Sequence, residues 1–234
     1  MKVLGIETAT RAGGSALFDD NGLVAEAFSD TETTHSRRLL PSIDRLITEA
    51  GWKPRDIDLV AVSTGPGSFT GLRIGMAAAK GFAMAAGAEI VGVPTLDAFA
   101  FNIAKAGMGL PIWPVLDARK AEVFTAPFDP NGRRLGPDEN VTPEMLSQLI
   151  AGDEKIVIAG DGIRKYDRLL AETGARALRP PGEFDDPRPA AVAELGFVMF
   201  RAGTRHDPDN VSPSYVRAPD AIINPRSAKG PPRI

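Results

Sequence analysis

Apolar residues come in short runs separated by glycine and proline, and their spacing predicts strands alternating with helices. Residues 3–6, VLGI, read as a short buried strand. Residues 13–30 read as a hairpin turned at Asn21-Gly22, a dipeptide that supplies left-handed backbone to a tight turn. From about Ser36 to Ala50 the period is helical. Leu39, Leu40, Ile43, Leu46, Ile47 and Ala50 form one stripe, and Arg37, Arg38, Asp44, Arg45 and Glu49 the opposite face. Pro41 inside this pattern predicts a kink or a later start. DIDLVAVS (56–63) is a strand, followed by a glycine-rich stretch that opens a helix ending near Gly87. EIVGV (89–93) is a strand with a short helix from about Leu96. Strand, glycine loop, helix and strand in that order predict an α/β fold.

A second set of elements follows. PIWPVLDA (111–118) and EVFTAPF (122–128) read as paired strands. Thr142-Pro143-Glu144 starts a helix, with a capping hydroxyl and proline at the first helical position. KIVIAG (155–160) is a strand and Arg188 to Arg201 an amphipathic helix. No fixed-period repeat is visible. The expected organisation is an N-terminal α/β lobe over 1–105 and a C-terminal α/β lobe over 106–234, with a mobile proline-rich tail from about 218.

Composition narrows the class. A net charge of −3 argues against a chain that wraps nucleic acid by itself, because strong phosphate-backbone binders display a basic face. The absence of cysteine removes disulfides, thiolate nucleophiles and Cys-ligated zinc together. The N-terminal apolar run is short for a signal peptide, and no window has the length of a membrane span. A soluble cytoplasmic protein is expected.

The candidate chemistry centres on STGPGSFTGLRIGMAAAK, residues 63–80. Four glycines fall between Gly65 and Gly75, after an apolar strand. The stretch lacks GxxxxGK[ST], and Thr70 stands where GxGxxG needs its third glycine. Two readings stay open. Amides at Gly65, Gly67 and Ser68 make a generic anion site at a helix N-terminus. Alternatively, Gly67, Gly71, Gly75, Ala79, Ala83 and Gly87 make a small-residue stripe against which another backbone packs. Between Ser68 and Ala88 only Arg73 and Lys80 are charged, so the helix around Met76, Ala77 and Met84 is either core or an adaptable protein interface. Thr8 and Thr10, beside Glu7 at a strand end, form a second possible phosphate loop or simply bond the turn backbone. Neither His35 nor His206 has another histidine within four residues, so a histidine metal site would need carboxylates as its other ligands, and His35 reads as a capping or acid-pairing residue. Asp117, Arg119 and Glu122 form a charged cluster between strands.

Taken in order, HSRRLLPSIDRLITEAG, GPGSFTGLRIGMAAAKG, VGVPTLDAFA, LDARKAEVF and PSYVR resemble the TsaB (YeaZ) family, paralogues of the TsaD enzymes. The likeness is dense over residues 3–125 and thin afterwards. It implies an actin-like, sugar-kinase-type (ASKHA) fold of two RNase H-like lobes. It also implies a non-catalytic subunit for N6-threonylcarbamoyladenosine formation on ANN-reading tRNAs, next to the anticodon. The implied partners are a TsaD-like subunit, as a heterodimer, and a TsaE-like ATPase, with self-association as a homodimer when alone and tRNA reached only through the complex. No membrane is involved. The family resemblance puts His35, Leu39, Arg73, Met76, Ala77, Lys80 and Met84 at the partner contact. No cofactor is expected to be held firmly, with ATP or ADP the candidate at the partner interface. The two metal-binding histidines of TsaD-like enzymes align with Thr95 and Phe99 here, and Glu7 replaces the more usual aspartate, so neither catalysis nor a metal is expected. The rival reading is a stand-alone nucleotide-binding phosphotransferase or ATPase of the same fold.

Overall fold

Two five-stranded sheets organise the chain. The computed structural model describes residues 1–30, 34–151, 155–171 and 176–216, the side chains of 167–171 and 176 excepted, and the tail expected from about 218 lies outside them. The first sheet is built from β1 (Val3–Glu7), β2 (Gly13–Asp19), β3 (Gly22–Ser29), β4 (Leu59–Gly65) and β5 (Glu89–Pro94), in the order β3-β2-β1-β4-β5. β1 to β3 form an antiparallel meander, and β4 and β5 run parallel to β1. The connecting helices are α1 (His35–Glu49) and α2 (Phe69–Ala86), and α3 (Thr95–Ala104) leaves β5.

The second sheet repeats this plan. β6 (Ile112–Arg119), β7 (Glu122–Thr125) and β8 (Glu139–Val141) are antiparallel. α4 (Pro143–Ile150), β9 (Lys155–Ala159), α5 (Asp161–Ala171) and β10 (Arg176–Leu178) follow, and α6 (Pro189–Arg201) comes last. Read from its β8 edge, the order β8-β7-β6-β9-β10 is that of the first sheet. The duplication leaves no sequence period because loop and strand lengths differ between the halves. β8 has three residues where β3 has eight.

Both faces of each sheet are covered, so the central strands are continuously apolar rather than alternating. α1 and α2 cover one face of the first sheet, where Leu39, Ile43, Leu46, Met76 and Ala79 meet Leu4, Ile6, Val60 and Val62. The helices that close each unit are exchanged. Leu96, Phe99 and Ile103 of α3 pack on Ile112, Leu116 and Val157 of the second sheet. Val192 and Ala193 of α6 return to Val3, Ala61 and Val93 of the first. Gly5 and Gly196 allow this return, since a Cβ at Gly5 would meet Ala193 and one at Gly196 would meet Ala61. Residues 206–214 also come back. His206 bridges Ile90, Val211 is buried, and the Ser214 amide donates to the Thr64 carbonyl at 2.7 Å. The expectation that all of 106–234 belongs to the second lobe is therefore corrected for 189–201 and 206–214. The physical reason is that the face of the first sheet left by α3 needs another apolar stripe.

α1 begins at His35 and runs through Pro41 without a break. Pro41 is exposed, so the hydrogen bond it removes lies on the solvent side. Leu40 leaves the expected stripe and is 58% exposed, because neighbouring Leu39 already fills the core position.

Candidate functional site

The glycine loop joins β4 to α2, and three of its amides donate within the chain. Gly65 N donates to Thr95 Oγ1 at 3.0 Å, Ser68 N to the Ala9 carbonyl at 2.6 Å, and Gly71 N to Ser68 Oγ at 3.3 Å. The Ala9 carbonyl thus lies against an amide that an anion would otherwise take. The glycines let α2 lean on the loop after β1. A Cβ at Gly71 would overlap the Thr8 carbonyl oxygen, and one at Gly75 would overlap the Thr8 hydroxyl. The close backbone packing expected of the stripe is realised at Gly71 and Gly75, and the backbone is the chain's own.

α1 holds the same loop from the other side. His35 is buried, with Nε2 2.7 Å from the Thr10 carbonyl and Nδ1 3.2 Å from the Arg38 guanidinium. A carbonyl only accepts and a guanidinium only donates, so the imidazole is neutral with its proton on Nε2. Burial pushes its pKa down, in agreement. Among the described residues it neither caps α1 nor pairs with an acid, which corrects that expectation. Arg38 donates to the Ser29 and Arg11 carbonyls at 2.6 and 2.7 Å. Thr10 Oγ1 donates to the Ala12 carbonyl at 2.7 Å, and Thr8 Oγ1 is buried without a partner among the described residues. The Thr8–Ala12 loop is clamped between the two helices.

Glu7 ends β1 fully buried. Its Oε1 accepts from Ala9 N at 2.5 Å and from Ser63 Oγ at 3.2 Å, while Oε2 has no partner among the described residues. Desolvation outweighs those hydrogen bonds and pushes its pKa from 4.5 up to about 7. The folded protein therefore binds a proton here that the unfolded chain has released. Stability from this group is full below pH 4.5 and is lost as pH rises to about 7. The loss over that window is about 3 kcal/mol. Glu7→Gln is expected to remove this component, narrowing the difference in urea midpoint between pH 5 and pH 8. An unchanged difference would assign the fall to other groups. Ser63, which positions this carboxylate, was not singled out in the sequence. Its position as the polar end of an apolar strand was the available signal.

A cleft of about 820 Å³ opens between the lobes. Thr10, Arg11, Gly67, Ser68, Phe69, Asp117, Arg119, Lys120, Asp161 and Tyr215 are among its lining residues. The β6–β7 turn forms one wall, with Arg119, Lys120 and Ala121 in succession at positive φ of 63°, 50° and 59°. The Asp117–Arg119–Glu122 cluster divides in two. Asp117 meets Lys165 at 2.9 Å in the cleft wall, and Glu122 accepts from Asn140 at 2.9 Å away from it. Other basic residues are also held by acids. Arg134 pairs with Asp97 and Asp138, and Arg164 with Asp185 and Asp186.

The positions that align with metal-binding histidines do not fit a metal. Thr95 is buried and its hydroxyl holds Gly65 N, and Phe99 is a fully buried member of the second-lobe core. Among the described residues no three His, Asp or Glu side chains gather as a metal site.

The residues expected at the partner contact separate into two groups. Leu39, Met76 and His35 are buried inside this chain, Met76 at 4% exposure, so they support the surface from beneath. Arg73 and Ala77 are exposed, Lys80 is half-buried, and Met84 is 79% exposed. The family resemblance puts Met76 at the contact, and α2, apolar all round, carries no pattern in its sequence that turns Met76 inward. With Leu40 on α1 and Phe69 at the start of α2, Met84 belongs to an outward apolar set on the two helices. Among the described residues no helix is long and apolar enough to cross a membrane.

Comparison with known proteins agrees with this architecture. Residues 27–180 match the family model described as TsaD: tRNA N6-adenosine threonylcarbamoyltransferase. The tRNA threonylcarbamoyladenosine biosynthesis protein TsaB of Escherichia coli (strain K12) is 32% identical over 93% of this chain and 95% of its own. Its namesake in Bacillus subtilis (strain 168) is 29% identical over 94% and 96%. The solved structure of YeaZ from Pseudomonas aeruginosa superposes with a TM-score of 0.78 at 25% identity, covering 92% of this chain and 99% of that one. The fold is the actin-like, sugar-kinase-type one, and the component A of (R)-2-hydroxyglutaryl-CoA dehydratase from Acidaminococcus fermentans shares it at a TM-score of 0.51. Likeness maintained over nearly the whole chain places it in the TsaB (YeaZ) family.

Proposed function

We propose that this chain is a non-catalytic cytoplasmic subunit that binds and supports a TsaD-type transferase in N6-threonylcarbamoyladenosine modification of ANN-reading tRNAs, next to the anticodon. The names of its relatives place them in that biosynthesis. The observation that carries the partner role is the outward face of α1 and α2, where Leu40, Ala77 and Met84 lie exposed and α2 has only two charges along its length. Exposed apolar side chains on a helix pair with so little charge suit a protein-binding surface. The filled metal positions Thr95 and Phe99, and the three amides of the glycine loop that donate within the chain, support the non-catalytic part. A TsaE-like ATPase joins the assembly, tRNA is reached through it, and the isolated chain pairs with itself through the same face. Size-exclusion chromatography of the chain with the TsaD-like subunit of its own organism tests this. Co-elution as a heterodimer is the expected result, and separate elution at low and moderate salt would overturn it.

The interlobe cleft favours a second reading, a stand-alone nucleotide-binding phosphotransferase, since about 820 Å³ is within the range of small-molecule sites. Millimolar ATP with Mg²⁺ would then raise the melting temperature of the isolated chain. The partner-subunit reading expects no shift without the partner, where ATP or ADP has its candidate place at the shared interface.

A further inference from the structure

Residues 213–216, near the end of the described chain, pack Val216 against the core of the second lobe and bring Tyr215 to the α2 face. Tyr215 Oη accepts a hydrogen bond from Arg73 Nε at 3.1 Å. The Tyr215 ring lies 5.0 Å from that of Phe69, and the Arg73 guanidinium sits over Phe69 at 3.8 Å. The other charge on α2 is held by the same segment, with Lys80 Nζ 3.5 Å from the Asp209 carbonyl, a long contact. The segment itself is fixed at several points. Gly92 N donates to His206 Nδ1 at 3.3 Å, Val211 is buried in the first core, and Ser214 N donates to Thr64 O at 2.7 Å. The Ser214 carbonyl lies where a Cβ on Gly65 would stand.

Both cations of α2 are thus drawn to one flank by a single anchored strap. A free arginine side chain sweeps a wide volume, and ordering it on docking costs entropy. Arg73 instead sits over an aromatic ring with its Nε committed, which leaves Ala77, Gly81 and Met84 as an uncharged stripe beside it. We propose that residues 206–216 form an integral flank of the docking surface, with Tyr215 the positioning residue that presets Arg73 for the partner. This rests on the reading of the α1/α2 face as the docking surface. Because Tyr215 and Phe69 also wall the interlobe cleft, the strap joins the docking face to the cleft mouth.

The test compares Tyr215→Phe, Tyr215→Ala, Arg73→Ala, the double variant Tyr215→Phe/Arg73→Ala and Met84→Glu for affinity to the TsaD-like subunit, at two salt concentrations. Tyr215→Phe keeps the ring and removes only the acceptor. It is expected to weaken binding about fivefold, the scale of one hydrogen bond. Its melting temperature should stay that of wild type, and its affinity should become more salt-dependent as Arg73 is released. Tyr215→Ala should weaken binding further. Adding Tyr215→Phe to Arg73→Ala should change nothing, since the hydroxyl acts through that arginine. A purely structural role would move melting temperature and leave no coupling between the two sites. Wild-type affinity and salt dependence in Tyr215→Phe and Tyr215→Ala, with binding still lost in Met84→Glu, would overturn the proposal and leave the docking face standing. Normal binding by Met84→Glu would overturn the docking face and the proposal with it.

Discussion

Met84→Glu is expected to abolish binding of the partner subunit while leaving the melting temperature of the isolated chain unchanged within about 2 °C, the effect of an ordinary surface change. Met84 is 79% exposed on α2, so in the free chain the new carboxylate stays in water. In a docked, apolar contact it would be buried without a partner. That costs several kcal/mol, and each 1.4 kcal/mol is about tenfold in affinity. Met76→Glu, eight residues earlier on the same helix, should behave oppositely. Met76 is 4% exposed and packed among Leu39, Val60 and their neighbours, so the change places a carboxylate in the core of the first lobe. Loss of the cooperative unfolding transition is expected, and any loss of binding would then be secondary. Circular dichroism melts and isothermal titration with the partner separate the two. A folded Met84→Glu chain that binds at wild-type affinity would remove the α2 face from consideration.

The second large effect is expected at the loop clamp. Gly71→Ala should destabilise the chain by about 3 kcal/mol, lowering its melting temperature by roughly 6–12 °C. The added methyl meets the Thr8 carbonyl, a backbone atom. The loop has little room to retreat, because Ser68 holds the Ala9 carbonyl, His35 the Thr10 carbonyl and Arg38 the Arg11 carbonyl. Gly81→Ala is the control on the same helix. Nothing lies within 4 Å of a Cβ there, so the helix-propensity gain of about 1 kcal/mol should appear as a higher melting temperature. Equal stability of Gly71→Ala and wild type in urea unfolding would mean that α2 is not seated on the loop as described.

Most of the elements were legible in the sequence, since strands and helices here carry their own period and punctuation. Thr142 caps α4 through its hydroxyl and Gly87 ends α2 at a φ of 71°, as the sequence predicts, whereas the first hairpin turns at Asp20-Asn21 between the paired Asp19 and Gly22, so of the expected dipeptide only Gly22 has a positive φ. What the sequence did not disclose was long-range. The exchange of α3 and α6 between sheets depends on which uncovered face each helix meets, and no local pattern records that. Facing was hardest on α2. A helix apolar all round gives no direction to its core side, so Met76 and Met84 looked alike although one is core and the other surface. His35 failed differently. Its neighbours in sequence suggested a cap, and its partners in space are the backbone of Thr10 and the side chain of Arg38, 25 and 3 residues away. Tyr215 lies 142 residues from Arg73, a separation that only the folded chain closes.

The most direct measurement is threonylcarbamoyl transfer to an ANN-reading tRNA, assayed with the TsaD-type subunit of the same organism alone, with this chain alone, and with both. The remaining pathway components are supplied in every case. A partner subunit without chemistry of its own predicts no product from this chain alone, little from the transferase alone, and a large rise when the two are combined that Met84→Glu does not restore. Full activity of the transferase without this chain, or product formed by this chain alone, would contradict it.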